Sequence, residues 1–583
     1  MTKRNWLWGV VALGVLCGAP VVAEAQDAPL VVKSYKKRKA GTWFRADSAH
    51  FTVYSDAPQA EVARLLTRLE KFRYLLRSYV RLAEGEGDAE PRLELTYFAG
   101  QGGLDTVAPE SPEYTIGVYK SCEEGVQGFG VHMFYDAADH LALEKRPENE
   151  GLSYIFEAYA RHFFYRHSYE RTPTWFIDGF AHYFSTARFE GDLAIVGQAP
   201  EAIATHLHRL RGHMRYSVDY KDLLNQNETG SDKYIGAAGV KLEYQSRAWI
   251  FTHYILSSQE NRKKFSLYLA NLQKGDAPEK AFEQAFGFKV SKLSWELKMY
   301  MSSKLQAARL TFKALPVADA VFETLPEGAE NLVVPQAMMK GCAGARKGPG
   351  LLDDVRRAVA AYPNDARAKL TLARAEVLWG DPHAALGAVD GLTKDTANAA
   401  EAHYLIGRAR LRLGQLPAAA DAFFASADIA PDAPETSYYL GKALLAKDGA
   451  PDPDGLGALV RAWQLAPEVD AYALDAGLAY AYLGDGETAV KVLRTVADNP
   501  RGRSLAGVAE GAMKDVRSGA GRDAALALLR SHPLPDDGGL PEWTIASAAV
   551  WQALWVAVKR DEVAVEMQEM APDTDQPPPL TYK

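Results

Sequence analysis

The chain has 583 residues, 48% hydrophobic and 24% charged, an ordinary globular composition with length enough for two to four domains. That excludes disorder throughout, collagen and a small disulfide scaffold. Its 66 basic and 74 acidic residues give a net charge of −8 with no long basic block, so nucleic acid is not an expected partner.

Lys3 and Arg4 precede an apolar run from Trp6 to Val22 and then Ala23-Glu24-Ala25, the pattern of a secretory signal peptide over residues 1–25. Gly9, Gly14, Gly18 and Pro20 interrupt the run, which stops short of a comfortable bilayer span. No later segment reaches 18 consecutive apolar residues, so an exported chain with no transmembrane segment after cleavage is expected. Cleavage removes Cys17 and leaves Cys122 and Cys342, far apart along the chain. They form one bridge or stay as two thiols; spacing decides neither.

The runs HFTVYSD (50–56), RLELTYF (92–98), TIGVYK (115–120) and GVHMFYD (130–136) are rich in Val, Tyr, Phe and Thr and read as strands. Between the first two, Val62, Leu65, Leu66, Leu69, Phe72, Leu76 and Val80 recur at helical spacing. Residues 147–310 are mainly helical in pattern, so residues 42–310 form an α+β domain, a small sheet with a mainly helical half. Residues 311–350, with Pro316, Pro326, Pro335 and GCAGARKGPG, read as a linker.

Beyond the linker the sequence repeats with a period of about 34 residues, a length typical of paired-helix repeats. Gly380 and Gly414 stand one such period apart, and Ala373, Gly407, Gly441 and Gly477 recur in step with it. Residues 400–433, with Gly407, Ala419, Phe423 and Pro431 in register, resemble a tetratricopeptide repeat, the small residues letting paired helices approach while Phe423 fills the gap. Four copies run from about 366 to 500, KDGAPDPDG (447–455) is a lengthened turn in the third, and residues 503–531 resemble a partial copy. An all-α solenoid over 351–535 is expected, with a C-terminal capping helix over 536–570 and a disordered tail over 571–583.

The chemistry-bearing stretch is GLSYIFEAYARHFFYRHSYERTPTWFIDGFAHYFSTARF, residues 151–189. An apolar helix, a turn with Pro173 and an aromatic helix with one acid resemble the core of gluzincin metallopeptidases, particularly secreted bacterial peptidase-MA-like proteins. Pro173, Trp175, Gly179, Ala181 and Tyr183 match that family's second helix, and Tyr244 and Ser246 match a later one. In the family, two histidines of HExxH bind zinc, its Glu is the general base, and an acid on the next helix completes the site. The matching register here reads Glu157-Ala158-Tyr159-Ala160-Arg161, with Asp178 on the second helix. Both histidines and the general base are replaced, and the acid is a methylene shorter.

Glu157 and Arg161 have the favourable i,i+4 order of a helical ion pair. Either Arg161 stands where the metal stood and bridges Glu157 to Asp178, or the pair is solvated. A relocated zinc site drawing on Asp178 and His182, with His162 and His167 nearby, is the rival arrangement. His162, Trp175, His182 and Tyr244 are candidate cleft residues. The resemblance implies a pseudoenzyme without catalytic residues, metal or cofactor, exported to a Gram-negative envelope or periplasm, binding a protein or peptide ligand through its solenoid. The alternative is an active exported zinc peptidase with an altered metal site.

Overall fold

The computed structural model describes residues 42–80, 82, 90–107, 115–132, 150–167, 172–210, 218–226, 236–303, 305–343, 348–446, 451–497, 503–531 and 543–546. The signal peptide, the tail 571–583, residues 133–136 of the fourth run and 447–450 of the lengthened turn lie outside them.

Strands β1 (Phe44–Asp47) and β2 (Phe51–Ser55) form a hairpin, and helix α1 (Gln59–Val80) crosses from β2 to β3 (Leu93–Phe98), which lies parallel to it. The predicted apolar stripe of α1 is its buried face, with Leu66, Leu69, Phe72 and Leu76 fully enclosed. After α2 (Gln101–Val107), strands β4 (Thr115–Cys122) and β5 (Gly125–Val131) make an antiparallel hairpin whose β5 is parallel to β3. The fourth strand therefore lies earlier than GVHMFYD suggests, because Gly125, Gly128 and Gly130 weaken a propensity signal that sheet pairing overrides.

Helices α3 (Glu150–His167) and α4 (Thr174–Ser185) follow. Every residue of α4 is buried: its aromatic and aliphatic side chains pack into the core, and its one acid, Asp178, is enclosed with them. After a small second sheet begins with β6 (Arg188–Glu190) and β7 (Leu193–Val196), helices α5 (Glu201–Leu210), α6 (Tyr220–Leu224), α7 (Gly236–Leu256), α8 (Gln259–Gln273), α9 (Pro278–Phe286) and α10 (Val290–Ser302) complete the helical half. Gly179 permits the closest contact there: a Cβ on it would lie 2.1 Å from Thr252 Oγ1 and 2.5 Å from the Ala248 carbonyl oxygen on α7.

The expected linker is structured. Strand β8 (Ala308–Thr311) pairs with β7, β9 (Val321–Thr324) pairs with β1, and α11 (Glu330–Lys340) packs Val333 and Ala337 on the sheet face opposite α1 and α3. Pro326 and Pro335 punctuate these elements without dissolving them, since β9 is an edge strand and Pro335 sits inside α11. The capping helix is also corrected: residues Trp543–Ala546 are strand β10, antiparallel to β4, and the rest of 536–570 lies outside the described residues. Trp, Thr and Ile suit a strand, and β4 offers an open edge. The sheet order is β10-β4-β5-β3-β2-β1-β9.

Helix α12 (Gly348–Ala360) leads into five helical pairs: α13 (Ala366–Trp379) with α14 (Pro382–Ala388), α15 (Ala399–Arg412) with α16 (Leu416–Ile429), α17 (Pro434–Leu445) with α18 (Pro453–Leu465), α19 (Asp470–Tyr482) with α20 (Gly486–Ala497), and α21 (Arg503–Ser518) with α22 (Gly521–Ser531). The repeat's small positions are contact points within pairs. A Cβ on Gly407 would meet the Phe423 ring at 2.6 Å, and Cβ atoms on Gly441 and Gly477 would meet Leu459 and Leu493 at 2.7 Å. The whole is α+β, mostly helical with a small mixed sheet, and its C-terminal part is a helical repeat with its own core.

Candidate functional site

The α3–α4 pair brings together three charged residues singled out from sequence. Glu157 and Arg161 lie one turn apart on α3, and Asp178 faces them from α4. Arg161 Nη2 donates to Glu157 Oε1 at 2.6 Å, and Nη1 donates to Asp178 Oδ1. The side chains of Arg161, Asp178 and Glu157 are only 3%, 3% and 11% exposed, which makes the pair buried, not solvated. His182, one turn beyond Asp178, places Nδ1 3.4 Å from Glu157 Oε2.

Burial opposes every charge in this cluster, so the neighbours decide its ionisation. For Arg161, burial is outweighed by Asp178 and Glu157, which hold the guanidinium protonated. For Glu157, burial would raise the pKa, but His182 and Arg161 bring it down to about 2. One cation thus sits between two carboxylates and uses the planar fork of a guanidinium.

Ala158 has no carboxylate to offer and lines a small apolar cavity of about 30 Å³ with Ile155, Tyr159, Leu95 and Phe129. These groups do not suit zinc: the two carboxylates already share a fixed cation, and a second one beside Arg161 would meet its charge. The histidines of the rival arrangement go to different partners. His162 Nδ1 is 2.7 Å from the Tyr119 hydroxyl, and His167 Nε2 is 3.3 Å from Glu90 Oε1. Burial, reinforced by Arg166, pushes the His162 pKa well below its usual range. The cleft assignments of Trp175 and Tyr244 are corrected. Trp175 is fully buried and stacks on Phe251 with centroids 4.8 Å apart, and Tyr244 is 2% exposed within the same core, because rings this large fill the space between the packed helices.

A second charged cluster escaped the sequence. The β4–β5 turn carries Glu124 onto the face lined by the first helices of the first four pairs. Its carboxylate accepts from Arg408 Nη1 at 2.7 Å, Tyr439 Oη at 2.8 Å and Tyr404 Oη at 3.3 Å, and Arg374 Nη1 lies 3.6 Å away. Burial would raise the Glu124 pKa, but Arg408 and Arg374 keep it below the usual carboxylate range. Tyr472 of α19 donates to the Glu123 carbonyl at 2.8 Å. Directly behind the turn, Cys122 is disulfide-bonded to Cys342, Cα atoms 6.3 Å apart, so the two cysteines left open by spacing are linked.

A periodic signal for this face did exist. Lys340, Arg374, Arg408 and Lys442 recur at the spacing of one repeat, and so do Tyr404, Tyr438 and Tyr472. Small residues mark where helices of a pair touch; of this second ladder Arg374, Arg408 and Tyr404 reach Glu124 and Tyr472 reaches the Glu123 carbonyl, while Lys340 and Lys442 turn to Glu94 and Asp475.

No family model matches the chain, and no curated relative matches it. Among solved structures, the crystal structure of MamA matches at 22% identity, covering 29% of this chain and 95% of that chain, with a TM-score of 0.22 that assigns no fold.

Proposed function

We propose that this chain is an exported bacterial binding or scaffold protein, in which a metallopeptidase-like domain that does not cleave is joined to a tetratricopeptide-type solenoid for protein recognition. The observation that carries the first half is the buried Arg161 guanidinium between Glu157 and Asp178, at the positions where the peptidase-MA resemblance expects metal and ligands. A fixed side-chain cation there satisfies the two acids without an ion, and Ala158 supplies no general base. The periodic helical pairs support the second half, since stacked repeats present one continuous face to a polypeptide.

The test uses the secreted, leader-free protein. Its zinc content and its cleavage of an unfolded protein substrate are measured with and without a chelator. The expected result is substoichiometric zinc and no chelator-sensitive cleavage; stoichiometric zinc with cleavage that a chelator abolishes would establish the active, altered-site peptidase instead.

A further inference from the structure

The face made by α13, α15, α17 and α19 is covered by another segment of the same chain. One two-residue turn, Glu123-Glu124, is contacted from α13, α15, α17 and α19, that is, from four successive pairs. The recognition has the form of a bound peptide: a carboxylate in a cationic, hydroxyl-lined pocket, and a main-chain carbonyl capped by a tyrosine. Arg408 also stacks 3.6 Å over the Tyr439 ring, so the cationic side of the pocket is itself packed in place. The turn is tight, with Gly125 at φ +140°, and it is covalently tied through Cys122 to Cys342, the residue that leaves α11 toward the repeats. Cys122 is buried, while Cys342 is partly exposed and holds a left-handed backbone at φ +51°.

We infer that the β4–β5 turn is a tethered ligand in cis, that the Cys122–Cys342 disulfide is the latch that keeps it seated, and that this face accepts an acidic turn of a partner protein only after the latch opens. The inference rests on the reading of the helical pairs as a recognition array. The preference for acid follows from Arg408 and Arg374, the two cations that face the Glu124 carboxylate and would repel a basic segment there. Opening requires an external dithiol reductant. One of its thiolates attacks the Cys342 sulfur, Cys122 leaves as thiolate and takes a proton, and the second dithiol sulfur resolves the mixed disulfide. The protein gains two electrons and two protons as two thiols, and the reductant leaves as its own disulfide.

Hydrogen exchange of the leader-free protein is compared before and after dithiothreitol, alongside binding of a fluorescein-labelled peptide spanning residues 119–127 with Cys122→Ser. Reduction should speed exchange at least tenfold in residues 121–125 and raise exchange along α15 and α17, leaving α3 and α4 unchanged. The peptide should bind the reduced protein at least tenfold more tightly than the oxidised one, and its Glu124→Lys form should not bind. Exchange that reduction leaves unaltered, or peptide binding indifferent to redox state or to the charge reversal, overturns the inference. Zinc and cleavage measurements never involve this face, so failure of the latch leaves the proposed function standing, and a zinc-dependent cleavage would leave the latch standing.

Discussion

Two of the buried charge clusters among the described residues have opposite stoichiometry. On α3 and α4 one arginine lies between two acids; at the repeat face one glutamate lies between two arginines. The same burial acts on both, but the ways out differ. An orphaned carboxylate neutralises itself by taking a proton, whereas an orphaned guanidinium cannot shed one near neutral pH. The glutamate-centred cluster is therefore the more brittle of the two, and it also joins the sheet to the repeats.

The largest effect is expected from Glu124→Ala. It removes the carboxylate that Arg408 and Arg374 share, at a cost on the order of 3 to 5 kcal/mol in guanidinium chloride unfolding. A cost under about 1 kcal/mol would mean the turn contributes no more than an exposed contact. Arg161→Ala comes next, toward the lower end of that range at about 3 kcal/mol at pH 7. Its deficit relative to the wild type should shrink as pH falls, because Glu157 then binds a proton that the missing cation no longer discourages. A deficit independent of pH would erase the contrast between the clusters.

Glu157→Gln keeps the shape and removes one charge, for about 1.5 to 3 kcal/mol at pH 7. Since the folded pKa of Glu157 is depressed from 4.5 to about 2, its contribution is full above about 4.5 and is lost as pH falls toward about 2; paired denaturation curves from pH 2 to 7 check the sign. The smallest effects test packing apart from charge. Gly407→Ala should cost about 1 to 3 kcal/mol by driving a methyl into Phe423, while Gly507→Ala, on α21 with nothing near its Cβ, should gain about 0.5 to 1 kcal/mol; thermal midpoints distinguish the two.

The contrast between clusters is also a contrast in legibility. Glu157 and Arg161 share one face of one helix, and Asp178 lies on the next helix, so their being able to meet was readable from spacing. Whether Arg161 turned inward was not, because an i,i+4 pair suits a solvated face equally well. The helical pairs were readable for the same local reason, through residues such as Gly407 and Phe423 recurring with the repeat. The boundaries were not. Residues 311–350 lack sustained periodicity because β9 and α11 are short and owe their structure to the sheet they pack on, and β10 forms against β4, a strand from near the other end of the chain.

What the sequence by itself determined is everything that depends on neighbours within one or two turns or one repeat: the strands and helix around β2 and β3, the α3 and α4 helices with Glu157, Arg161 and Asp178, and the period of the helical pairs. The tertiary structure alone decided the depth of Arg161, the pairing of Cys122 with Cys342, and the seating of Glu124 against Arg374, Arg408 and Tyr439. Local geometry is set by torsions and side-chain spacing along the chain, whereas burial and charge pairing between distant segments depend on which surfaces are brought together, and no short-range pattern encodes that.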